Sequence, residues 1–288
     1  EAKTQCEAIS FYFAEKKISR MKNVVASRLV GLTTDPFRFE VPHVGQPLNL
    51  FQWVSVEEVY KLLGEIPSKS SPMDFVPTSV LKRCRRVFAP LIASLANLSF
   101  QEGRFPSQFK RAQVTPLIKH DGLDTRDPVN YRPISNLNTI SKVIERLALG
   151  RLRAHITNSP NFNKSQSAYR RHHSTETALL RILNDIYGNI DAGQDTLLVG
   201  LDLSAAFDTI EHSVLLTRLE RSFGIGGPIL EWIQSYLKDR TQFVHLGTAN
   251  SGDTNCHCGV PQGSVLDPLL FVAYISPTAS LAGNFGVG

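Results

Sequence analysis

Residues 196–211 read Thr-Leu-Leu-Val-Gly-Leu-Asp-Leu-Ser-Ala-Ala-Phe-Asp-Thr-Ile-Glu, and the fold class turns on them. Leu197, Leu198, Val199, Leu201 and Leu203 show no alternation. That is the pattern of a strand covered on both faces, so the sequence predicts a buried central strand beginning at residue 196. Such a strand carries Asp202 to a place where an uncompensated charge is costly. The carboxylate needs a partner there, either a Lys or Arg in an ion pair or a divalent cation, which suits oxygen ligands.

Downstream of this strand, residues 212–222 and 228–237 read as helices around Gly224-Ile225-Gly226-Gly227-Pro228. Because that glycine cluster follows a helix and leads into a proline, it reads as a C-cap and turn and not as a nucleotide loop. Thr241 to Leu246 and about Asn255 to Val260 read as a strand pair across a Gly/Asp turn. Pro261-Gln262-Gly263-Ser264 then forms a tight loop whose glycine lets backbone approach a ligand, followed by an apolar helix from Val265 through Val272.

Upstream, a rough apolar stripe through Phe11, Phe13, Ile18, Met21, Val24, Val25, Leu29 and Val30 predicts one or two helices over residues 1–33. Pro36, Pro42 and Pro47 mark a connecting segment. Ser55 caps a short helix with acids in its first turn, and further helices are expected from about Thr78 to Cys84 and from about Ala89 to Gly103. A strand from Gln113 to Ile118 and a polar loop lead to Asn130-Tyr131-Arg132-Pro133-Ile134-Ser135. Lys119 and Arg132 flank that loop, either converging on an anion or decorating an ordinary polar hairpin. Residues 139–156 form an amphipathic helix. Ser174 caps another helix, expected to bury Ala178, Leu179, Ile182, Leu183 and Ile186.

A chain of 288 residues with ordinary apolar and charged fractions can bury a sizeable core. No stretch approaches about 20 apolar residues and no signal-peptide pattern is present, which points to an intracellular compartment and no membrane partner. Residue 1 is Glu, so the sequence reads as a fragment or processed product. Four scattered cysteines argue against a disulfide framework, and Cys256-His257-Cys258 reads as strand thiols more readily than as zinc ligands. The net charge of +5 is clustered at Lys82 to Arg86, at Lys110 and Arg111, and at Arg170 to His173. Such patches suit a phosphate backbone, although the first is as well explained by a solvated helix face.

Four stretches together resemble the successive motifs of LINE-type (non-LTR) retrotransposon reverse transcriptases. They are Asn-Tyr-Arg-Pro-Ile-Ser at 130–135, Ser-Gln-Ser-Ala-Tyr-Arg at 165–170 with Ser-Thr-Glu-Thr-Ala-Leu at 174–179, Asp-Leu-Ser-Ala-Ala-Phe-Asp at 202–208, and Gly-Val-Pro-Gln-Gly-Ser-Val-Leu at 259–266. Their order and approximate spacing match as well. The resemblance implies an α+β (α/β) chain of right-hand polymerase architecture. Fingers would span 55–195 and a partial palm 196–288, behind an upstream segment 1–54, with the polymerase region proper covering about 110–288.

The implied reaction is attack of a DNA primer 3′-hydroxyl on a deoxynucleoside triphosphate over an RNA template, with two Mg²⁺ ions held by convergent carboxylates. By the same resemblance Asp202 is the catalytic and metal-binding carboxylate, and Phe207 the ring that clashes with a ribose 2′-hydroxyl. Lys119 and Arg132 neutralise the triphosphate, Gln262 and Gly263 line sugar and base, and Arg170 and Arg171 meet nucleic acid. Asp208 is assigned first to orienting backbone, and only second to the metals.

The sequence departs from the family twice. Asp267 stands where the family keeps Gly, and the aromatic-Ala-Asp-Asp hairpin and the thumb do not fall within residues 1–288. The expectation is therefore an incomplete palm sheet and a chain inactive alone. A catalytically dead nucleic-acid-binding remnant is the alternative, and an unrelated phosphotransferase with Asp202 as nucleophile is third.

Overall fold

The computed structural model describes residues 2–16, 19, 23, 35, 37, 40–203 and 205–284. The chain opens with α1 (Ala2–Phe11), which runs into a π-helical turn at Tyr12–Lys16. Ile18, Met21, Val24, Val25, Leu29 and Val30 of the expected N-terminal stripe lie outside the described residues. Helix α2 (Val56–Glu65) starts where the Ser55 hydroxyl accepts the Glu58 amide, with Glu57 and Glu58 complementing the helix dipole. Helices α3 (Thr78–Arg83) and α4 (Arg85–Gln101) follow. The latter begins four residues before Ala89 and carries Pro90 inside it, at the cost of one intrahelical donor.

Helix α5 (Thr139–Thr157) is capped twice. Asn138 accepts the Ile140 amide at 2.8 Å, and Asp74 accepts both the amide and the hydroxyl of Thr139 at 2.6 and 2.8 Å. Helix α6 (Thr175–Asp191) begins at a capping box of Ser174 and Thr177. Helices α7 (His212–Arg221) and α8 (Gly227–Leu237) flank the glycine cluster, with Pro228 in the first turn of α8. Two shorter helices, α9 (Asp267–Ile275) and α10 (Thr278–Asn284), end the described chain. None of the described helices is long and apolar enough to cross a membrane.

The sheet is small and mixed. Strand β1 (Arg111–Ile118) pairs antiparallel with β2 (Tyr131–Asn136) in the register Val114 opposite Ser135 and Leu117 opposite Arg132. On its other side β1 runs parallel to β3 (Arg240–Leu246), with Arg111 opposite Thr241. A parallel neighbour demands a long crossover, and the helices between β2 and β3 supply it. The short β4 (Ala249–Asn250) and β5 (Thr254–Cys256) both add antiparallel to β3. Strands from both sides of residue 196 thus share one sheet.

One face of this sheet is covered by α1 and the π-helical turn after it, where Cys6, Ile9 and Phe13 pack on Val114, Tyr131 and Val244. The Ser10 and Thr254 hydroxyls meet there at 2.8 Å. The larger core lies among the helices around the fully buried Trp232 and Tyr236, with Phe100 and Phe105 edge-on to the indole at 5.4 Å. Two polar ties bind the preceding segment to it. Glu40 pairs with Arg218 and accepts the Ser222 hydroxyl, all inside the protein, and Asn97 exchanges hydrogen bonds with the backbone of Val54.

The structure departs from the sequence reading at residues 196–203. They form no strand, and Leu197 and Leu201 are 87% and 89% exposed. A strand is stable only where a neighbour accepts and donates along its backbone, and no described strand lies beside this segment. Helix α6, predicted to bury an apolar side, buries no residue. The mixed α and β composition holds, but the buried central strand does not appear.

Candidate functional site

The site is assembled from two loops zipped together by backbone hydrogen bonds. The turn at 205–210 follows the exposed segment, and Gly259 and Val260 donate to Ile210 and Phe207 carbonyls at 2.8 and 2.9 Å. Gly259 has φ +78°, and a Cβ there would sit 2.8 Å from the Asp208 carbonyl oxygen, so no larger residue permits this approach. His212 Nε2 donates to the Gly259 carbonyl at 2.7 Å, and burial pushes its imidazole pKa down. The Phe207 ring is half-buried, 4.7 Å from Phe271 and 6.1 Å from the exposed Tyr169.

Loop 261–264 rests on the free edge of β2. The Ser135 amide donates to the Gln262 carbonyl at 3.0 Å. Gly263 has φ +106°, and a Cβ there would lie 3.1 Å from the Ser135 carbonyl oxygen. Asp208, Gln262, Ser135 and Arg240 line a narrow cavity of about 60 Å³, whose wall Phe13 completes. Asp267 is 5% exposed, and its carboxyl is pushed up to about 6 by burial, with Glu145 and Asp208 adding like charge.

Not every residue named from the sequence arrives here. Asp202 lies exposed on the irregular segment before the turn. Lys119 and Arg132 share one face of the β1–β2 hairpin as diagonal neighbours, because Arg132 opposes Leu117 and Lys119 is two residues on. Alternation along β2 puts Arg132 on the face opposite Pro133 and Ser135, which line the cavity. The Lys119 ammonium donates to the Val129 carbonyl at 2.6 Å.

Arg170 and Arg171 line a separate open cavity of about 590 Å³, with Arg146 and Arg153 of α5 and with Tyr169 and Phe162. The Arg170 guanidinium donates to the Lys164 carbonyl and lies 5.7 Å from the Phe162 ring. No ion pair among the described residues engages Arg146, Arg153 or Arg171. The other basic blocks are more committed. Lys82 donates to the Ile66 carbonyl, Arg85 lies over Tyr60, and Arg111 makes a two-pronged pair with Asp253. Cys258 donates to the Asp208 carbonyl, and burial pushes the Cys256 thiol up to about 11.

Sequence reasoning missed Arg146, Arg153 and Glu145. Arg146 and Arg153 are seven residues apart on one helix, so they fall on the same face, a spacing visible in the sequence. Glu145 is in phase with Ser141, Ala148 and Leu152, all buried, and that phase was the available signal for a carboxylate inside the protein.

Comparison with known proteins adds the family. A model described as reverse transcriptase (RNA-dependent DNA polymerase) matches residues 118–283. The chain is similar to the probable RNA-directed DNA polymerase from transposon BS of Drosophila melanogaster, 30% identical over 246 residues, covering 84% of this chain and 27% of the relative. It is also similar to the probable RNA-directed DNA polymerase from transposon X-element of the same fly, 31% identical over 242 residues, at 83% and 26% coverage. A third relative is the RNA-directed DNA polymerase from its mobile element jockey, 30% identical over 224 residues, at 77% and 24%. The chain spans about a quarter of the length of these relatives.

Proposed function

The chain belongs to the reverse transcriptase (RNA-dependent DNA polymerase) family, in its LINE-type non-LTR branch, and from that premise we propose that it is the segment of an RNA-directed DNA polymerase that receives the deoxynucleotide and the strand to be copied. The observation that carries this reading is the zipping of 205–210 onto 258–260 beside loop 261–264, which gathers Phe207, Asp208, Gln262 and Gly263. On this reading Phe207 presents a ring that excludes a ribose 2′-hydroxyl, while Gln262 and Gly263 flank sugar and base. Lys119 and Arg132 meet the triphosphate from the hairpin face they share. Arg170 and Arg171, joined by Arg146 and Arg153, hold the backbone of a nucleic-acid strand, since guanidinium groups around an open groove match phosphate geometry. The proposed division is an upstream segment 1–54, fingers 55–195 and a palm portion from 196, with β1 and β3 joining the last two.

Polymerases of this family work with divalent metal ions. Among the described residues no group of three or more His, Cys, Asp or Glu side chains is placed to hold one, and Asp202 lies on an exposed segment. The residues do not fit a two-metal centre in this arrangement. The guanidinium-lined groove by itself supports a second reading, a nucleic-acid-binding role without chemistry for residues 1–288.

Anisotropy of a labelled single-stranded RNA with the 288-residue chain tests the proposal. Binding should fall steeply with salt, and Arg153→Gln with Arg171→Gln should lower the log–log slope by about 0.7 for each phosphate that a guanidinium no longer neutralises. No binding at low ionic strength sinks both readings. A primer-extension assay with RNA template, deoxynucleotides and Mg²⁺ should show no synthesis by residues 1–288. Synthesis lost in Asp202→Asn would overturn the second reading.

A further inference from the structure

Loop 261–266 is held from two sides by carboxylates that the proposed function leaves without a task. From α5, Glu145 is fully buried, and its Oε2 accepts the Val265 amide at 2.8 Å and the Leu266 amide at 3.4 Å. Ser141 donates to its Oε1 at 3.0 Å and the Tyr236 hydroxyl to its Oε2 at 3.4 Å. From α9, Asp267 Oδ2 accepts the Gly263 amide at 3.0 Å, while its own amide donates to the Ser264 hydroxyl at 3.1 Å. The amides of Gly263, Val265 and Leu266 therefore all end on carboxylate oxygens.

Where the acceptor is ionised such bonds are about twice as strong as neutral ones, and the one to Leu266 satisfies the amide of the residue at the N-cap of α9. A buried carboxylate persists only if its charge is met. Burial pushes the Glu145 carboxyl up, and the charge of Arg240, 3% exposed, opposes that shift; Arg240 lies 4.9 Å over the Tyr236 ring and donates to the Tyr236 carbonyl at 3.0 Å.

We propose that Glu145 and Asp267 are paired positioning residues, bracing the backbone of 263–266 so that the loop presents Gln262 and Gly263 to a nucleotide. The proposal rests on reading that loop as nucleotide-lining. Asp267, which stands where the resembled family has Gly, is then no intruder: its carboxyl ties down the Gly263 amide.

The test is amide hydrogen exchange in the 288-residue chain, resolved at Gly263, Val265 and Leu266, beside binding of 2′-deoxyadenosine 5′-triphosphate. Glu145→Leu should speed exchange at Val265 and Leu266 about tenfold or more, the loss expected for hydrogen bonds to a charged acceptor. Glu145→Gln keeps a neutral oxygen acceptor of the same reach and should restore part of the protection. Asp267→Ala should speed exchange at Gly263 while leaving Val265 and Leu266 protected, and it carries the test if Glu145→Leu fails to fold. Nucleotide affinity should fall severalfold in Glu145→Leu and Asp267→Ala and recover in Glu145→Gln. Unchanged Gly263 exchange in Asp267→Ala overturns the brace. Unchanged affinity in every variant overturns its service to the nucleotide. If the wild-type chain shows the exchange pattern yet binds no nucleotide, the reading of the loop fails and takes the positioning role with it.

Discussion

Helices α5 and α6 carry apolar stripes of similar length, yet α5 buries nine of its residues and α6 none. Both are well capped, α5 by Asn138 and Asp74, α6 by the Ser174–Thr177 box. Capping and periodicity therefore do not separate them; neighbours do. Helix α5 lies against α2, α4 and α9. Helix α6 leads into residues 196–203, which pair with no described strand, and its Leu179, Leu183 and Ile190 stay open with Leu197 and Leu201. A sequence marks a helix as amphipathic, but the surface that accepts its apolar side is a separate requirement.

The largest expected effect breaks or keeps this contrast directly. Leu147→Ala in α5 should cost about 2–5 kcal/mol in urea unfolding followed by circular dichroism, through lost transfer energy and a cavity. Leu183→Ala in α6 should stay within about 0.5 kcal/mol. Equal costs would mean that α6 is packed in solution and that the contrast is false. Of intermediate size is the effect of Leu197→Glu with Leu201→Glu. Charge on an open apolar edge should raise the monomer fraction in sedimentation velocity without lowering the unfolding midpoint. A fall in the midpoint would place 196–203 inside the fold.

The smallest effect sharpens the contrast through pH. The Asp267 carboxyl is raised from 3.8 unfolded to about 6 folded, so its contribution to stability is fully present below about 3.8 and is lost as pH rises through about 6. Asp267→Asn removes that loss. The melting temperature of the variant relative to wild type should therefore be higher at pH 7.5 than at pH 5. A pH-independent difference would remove the buried carboxylate from the account.

Local chemistry was readable in the chain. Ser55 and Ser174 start helices where predicted, and the Gly224–Pro228 cluster is a turn between helices and not a phosphate loop. The apolar run 197–203 misled because lack of alternation says that both faces want cover, and the cover has to come from elsewhere. Lys119 and Arg132 flank their loop as read, and the register makes them diagonal neighbours on one face. Which face of the hairpin meets loop 261–264 depends on tertiary docking that neither residue reports. Gly263 reads as letting backbone approach a ligand, whereas the close approach in the structure is to Ser135 of β2. Glu145 escaped because a charged residue inside an apolar phase looks like an interruption until the donors that end on it are known.

The parallel pairing of β1 with β3 brings together residues roughly 130 apart in sequence. The β1–β2 hairpin can close as soon as residue 136 is free, but its inner edge then waits for residue 241 and beyond. At the usual pace of translation that interval is on the order of ten seconds, during which unpaired backbone donors and acceptors face the crowded cell. Helix α1 waits as well, since part of the surface it covers belongs to β3. For α1 the order of synthesis and the order of assembly are thus opposed, since it is made before the strands it covers and finds its full seat only after β3.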